Sequence, residues 1–161
     1  MTNQTITPDP VVLTVKGHSP KVIARGGFNL ATVMDAIAAK LVADGVVKTA
    51  YGYPVPLPTV PCAFVGYPTK IDYNVTMGGG GNGVHVLLPI FFAVGKVIDK
   101  TSRDQLSLVI DVQGASAIKA SMDGTLGGSV ASCVCDGAEI TIEKIGEVDY
   151  LAAKFELDFY A

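Results

Sequence analysis

The sequence predicts an α+β fold in two layers, with an antiparallel sheet of about four to five strands and helices packed on one face. Three observations carry that expectation. Lys70 to Met77 alternates strictly, placing Ile71, Tyr73, Val75 and Met77 on one side and Lys70, Asp72, Asn74 and Thr76 on the other, the period of a half-buried antiparallel strand. Gly78 to Gly83 (GGGGNG) then reverses the chain, and Val84 to Val94 (VHVLLPIFFAV) returns almost wholly apolar. Helical patterns lie apart from this stretch, rather than alternating with single strands.

At 161 residues the chain can bury a real core without staples. Residues 1–27 read as an N-terminal extension and 28–161 as a single domain. Charged residues make up 17%, against about 25% in an ordinary soluble domain, and the mean hydropathy is +0.42. Two readings stay open: the Ala and Gly content raises the index, or part of the surface is covered by further copies of the chain. A net charge of -3 opposes a protein that grips nucleic acid, which needs a basic stripe, but allows a surface past which DNA slides. No run of about 18 apolar residues occurs, so neither a span nor a membrane partner is expected. The start, MTNQTITPDP, lacks the basic and apolar regions of a signal peptide, which puts synthesis in the cytoplasm.

Pro8 and Pro10 interrupt a polar arm, and Val11–Val15 (VVLTV) is an apolar run that pairs with a sheet edge, its own or a neighbour's, or else stays a mobile extension. Asn29 is a suitable N-cap for a helix over about Leu30 to Asp44, with Leu30, Val33, Met34, Ile37, Ala38 and Leu41 as its apolar stripe and Gly45 as its stop. Tyr53 to Pro61 (YPVPLPTVP) has too many prolines for helix or central strand and reads as a stiff connector into a short strand, Ala63–Gly66. Pro89, unable to donate to a ladder, predicts a bulge within the apolar strand. Ser102 to Gln105 matches a capping box, so a helix with Leu106, Val109 and Ile110 inward begins at Ser102 and stops near Gly114. A second short helix spans Ser116 to Met122. Ser129–Cys135 and Ala138–Ile145 form one long bulged strand around Asp136-Gly137. Tyr150–Tyr160 returns with Leu151, Ala153, Phe155, Leu157 and Phe159 inward, leaving a polar, mostly acidic outer side.

Gly78–Gly83 is not a phosphate cradle, because Val84, His85 and Val86 follow it where a Lys, a Ser or Thr and a helix are required. Cys62, Cys133 and Cys135 lack the paired spacing of structural zinc and read as buried free thiols. His85 sits in apolar company as a structural histidine. No nucleophile–base–orienter set is present, so the expectation is no catalytic residue, no metal and no cofactor.

The order and spacing over about residues 28 to 161 resemble the tail terminator proteins of long-tailed, siphovirus-type bacteriophages. The matching passages are the opening helix NLATVMDAIAAKL, the proline-rich entry to PCAFVGYP, then KIDYNVTM, LLPIFFAVG, the capped helix at DKTSRDQL and the closing YLAAKFELDFY. Residues 1–27 depart from the family's usual short start. The resemblance implies a non-enzymatic virion protein that forms a homohexameric ring at the head-proximal end of the tail tube. Such a ring stops tube growth, joins the tail to the head connector or head-closure protein, and lets DNA pass without sequence-specific binding. A heterologous ring needs two different complementary faces on each subunit.

On that resemblance, Glu139, Glu143, Glu156 and Asp158 are expected to face the lumen, where like charge keeps DNA from sticking. An ordinary solvated outer face is the alternative. The loop residues Gly78, Gly79, Gly80, Gly81, Asn82 and Gly83, with Val11, Val12 and Leu13, are expected to touch adjacent rings or subunits. Rival readings are another neck component such as a head-closure or tail tube protein, a small-molecule enzyme using His85, Cys133 or the carboxylates, and a monomeric binding module.

Overall fold

A strand that is apolar on both faces needs cover and partners on both edges, and the long central strand of this protein has strands along both edges and helices over one face. The computed structural model describes residues 12–13, 21–22, 28–56, 58–75, 83–97 and 99–161. The elements follow in the order Val12–Leu13 (β1), Lys21–Val22 (β2), Leu30–Ala43 (α1), Ala50–Tyr51 (β3), Cys62–Val65 (β4), Lys70–Val75 (β5), Gly83–Lys96 (β6), Lys100–Val109 (α2), Ile118–Met122 (α3), Ser132–Ile145 (β7) and Val148–Tyr160 (β8). Along one edge of β6 lie β4 and β5, end to end; along the other lies β8, flanked in turn by β7. β3 joins the outside of β4 in a parallel pair. The described sheet thus has six strands rather than four to five, and it is mostly rather than wholly antiparallel. The extra strand, β3, is two residues long, too short to show a period in sequence.

β1 pairs with β2 as a separate two-stranded sheet. Within the described residues, then, the partner of Val12 and Leu13 is β2 and not the main sheet. Val11, and the loop residues Gly78, Gly79, Gly80, Gly81 and Asn82, lie outside the described residues; Gly83 opens β6.

All three helices pack on one face. Asn29 caps α1 as expected, its side chain accepting from the Thr32 N–H at 3.1 Å, and Val33, Met34, Ile37, Ala38 and Leu41 are buried. Each large side chain so buried stabilises the fold by about 1.5–3 kcal/mol. Gly45 follows with φ +73, the left-handed stop. α2 begins two residues before the expected cap: Asp99 is the N-cap, accepting from the Thr101 N–H at 3.0 Å, while Ser102 is inside the helix and buried. The reason is the fit against β6, where a Cβ on Gly95 would lie on the Ser102 hydroxyl. The helix also stops early, at Ile110, which stays exposed.

Pro89 forces no bulge. It pairs in register with Glu156, and the irregularity falls between Ala93 and Gly95 instead. The Pro89 carbonyl accepts from the Gly66 N–H at 2.8 Å, so the proline nitrogen points to the same side, where the chain crosses from β4 to β5 and no ladder donor is called for. A Cβ on Gly66 would come within 2.9 Å of the Pro89 and Phe91 side chains, which ties this crossing to glycine.

Alternation in β5 is only partly realised as burial. Ile71 packs against the main core, whereas Tyr73 is 69% exposed. The closing hairpin follows its pattern more closely: Ala153, Phe155, Leu157 and Phe159 are buried opposite Phe92, Ile90, Leu88 and Val86. β7 carries the expected irregularity between Cys135 and Gly137.

Candidate functional site

Two strands place the predicted acidic residues. Because β7 and β8 pair with Gly137 opposite Glu156, Glu139 opposite Lys154 and Val134 opposite Asp158, the period of two brings Glu139, Glu143, Glu156 and Asp158 to one face of the sheet. It is the face away from the helices, since Phe155 and Leu157, next door in β8, point into the helix-covered core. The four carboxylates therefore do share a side, but not an unbroken acidic one. Lys154 stands across from Glu139, and Asp136, Gly137, Ala138, Glu139, Lys154 and Glu156 line a shallow depression of about 280 Å³. Glu143 accepts from the Thr141 hydroxyl at 3.3 Å.

Asp158 is engaged elsewhere. Its Oδ1 lies 2.7 Å from His85 Nε2, while His85 Nδ1 lies 3.3 Å from Asp72 Oδ2. The imidazole also stacks on Tyr160, centroid to centroid 4.6 Å. Asp72 receives the Lys70 ammonium at 2.8 Å as well, and Lys70 first and His85 second hold its carboxyl below the usual range. His85 is thus a satisfied structural residue tying β5 to β8. Its partners lie 13 and 73 residues away, which hid them from a local reading. One was findable: a hairpin across Gly78–Gly83 sets Asp72 opposite His85.

The rest of this face is apolar, a correction to the expected polar side. Cys62, Phe64 and Ala93 are buried there beneath Tyr51, Val60, Phe91, Ile145 and Tyr150, with Phe64 and Phe91 stacked at 5.1 Å. β3 supplies Tyr51 and the end of the proline-rich passage supplies Val60 as cover, a role that composition did not reveal.

The cysteines offer no accessible nucleophile. All three are buried, and burial pushes Cys62 and Cys135 up to about 11 and Cys133 up to about 12, far from the thiolate at neutral pH. No group of three or more His, Cys, Asp or Glu side chains suited to a metal ion occurs among the described residues. No described helix is long and apolar enough to cross a membrane.

A second feature was missed in the sequence. Among the described residues β7 is an edge strand whose outer side is covered only at its start, where Gly124 bridges Cys133 and the Asp123 carboxylate accepts from the Cys135 N–H at 2.8 Å. Beyond the irregularity, Ile140 and Ile142 are 57% and 59% exposed. Comparison with protein-family models and with curated protein sequences gives no match to this chain.

Proposed function

We propose that this chain is a structural virion protein, a ring-forming tail terminator that caps the head-proximal end of a phage tail tube and joins it to the head connector. The reading starts from the resemblance in order and spacing. The observation that supports it most is an open sheet with helices on one face only and carboxylates gathered on the other. In a ring of such subunits the helices lie outward and Glu139, Glu143 and Glu156 line the passage, repelling DNA phosphates so that the genome slides. Asp158 contributes less, because its carboxylate is held by the His85 ring. The partners are further copies of the chain in a hexamer, the tail tube protein below and the head-closure protein above, and the work is mechanical, with no cofactor.

The test is growth of tail tubes with the purified protein added, followed by negative-stain microscopy. Arrest of growth, with one ring on one end of each tube, is expected. Filaments made by the protein alone would identify a tube subunit instead, and unaltered tube growth would end the proposal. Reversing charge at Glu139 and Glu143 without changing DNA ejection would remove the lumen placement while leaving the ring intact.

A further inference from the structure

Two unfinished pieces of structure stand out in the same chain. The first is the outer edge of β7 from Gly137 to Ile145, where among the described residues no strand pairs and Ile140 and Ile142 stay exposed. A long bare edge bearing apolar side chains is a template for another strand. The second is the β1–β2 pair, which joins no other described strand, and a lone two-stranded hairpin is marginal in water. Their charges are opposite. Residues 10–27 carry Lys16, Lys21 and Arg25 with no acidic residue, whereas residues 136–149 carry Asp136, Glu139, Glu143, Glu147 and Asp149 against Lys144 alone.

We infer that the free edge of β7 receives the N-terminal segment, residues 11–25, which carries β1 and β2, of a second copy of this chain. Main-chain bonds along the edge supply the attraction, Ile140 and Ile142 gain apolar cover from the Val11–Val15 run, and the basic residues select the acidic edge. Pairing of two β7 strands with each other fits less well. The register that sets Ile140 against Ile142 of the other copy also opposes Glu139 and Glu143, and like charges directly across a ladder repel. The arrangement is head-to-tail, with hairpin and edge as different surfaces, so it closes into a ring or grows open-ended. It assigns residues 1–27 a use without drawing on the tail reading, and it is tested without tail tubes.

The experiment uses three full-length proteins and their mass by sedimentation at micromolar concentration. Wild type associates. The edge variant Glu139→Lys/Glu143→Lys and the arm variant Lys16→Glu/Lys21→Glu, each alone, associate at least about tenfold more weakly, since like charges then meet at the contact. Mixed together, the two variants recover, because each arm finds an edge of opposite sign on the other protein. Unchanged thermal melting of both variants shows that the fold is intact. A monomeric wild type, an edge variant that associates normally, or a mixture that stays apart would each overturn the inference.

Discussion

The two halves of β7 have one backbone conformation and opposite fates. From Ser132 to Cys135 the strand is roofed by α3 and sealed along its edge by Asp123 and Gly124, and Cys133 and Cys135 are buried. From Gly137 to Ile145 the alternation resumes after the irregularity, yet Ile140 and Ile142, on the helix side opposite Ala153 and Leu151, stay exposed among the described residues. Alternation tells which residues share a face; it does not tell whether that face is covered. Cover is set by how far the helices reach, and α3 is only five residues long.

That contrast predicts a ladder of effects. In the covered part, Phe159→Ala, in β8 opposite Cys133, should cost about 3–5 kcal/mol in chemical denaturation, as a buried aromatic leaves a cavity. Cys133→Ser should cost about 1–3 kcal/mol, because a hydroxyl replaces a buried thiol with no partner prepared for it. In the folded protein, a thiol reagent at pH 8 should leave all three cysteines unmodified, given their burial and raised values.

Removing the seal, Asp123→Ala, should cost about 1 kcal/mol, a hydrogen bond at an exposed carboxylate. Burial alone would raise the Asp123 carboxyl, but the Cys135 N–H and the Lys119 ammonium outweigh it and hold the group low. A carboxyl lowered by folding adds stability above its unfolded value of about 3.9 and loses it as pH falls through the folded value. The acid limb of a stability–pH curve should therefore be shallower in this variant than in wild type. At the exposed end, Ile142→Ala should change monomer stability by less than about 0.5 kcal/mol. A loss as large as that at Phe159 would show that the tip is packed after all, and the two halves would no longer differ.

Much of this architecture was legible because local signals agreed with the global fold. The stripe Val33–Leu41, the cap at Asn29, the alternation of Tyr150–Tyr160 and the irregularity near Asp136-Gly137 each depend on residues close in sequence. What escaped depended on distant partners or on competing fits. The Asp72–His85–Asp158 chain joins three strands, and β3 exists only because β4 lies beside it. The cap of α2 moved from Ser102 to Asp99 because Ser102 is taken up against Gly95, a contact no capping rule contains. The carboxylates were placed on a common face correctly, since parity alone decides that; their dilution by Lys154 and His85 was not.

The proposed role is tested most directly in whole particles. An antibody or gold label on this chain, imaged in intact virions, should mark a single site at the junction of capsid and tail, once per particle. Label spread along the tail, carried on the capsid surface or missing from the junction would contradict it.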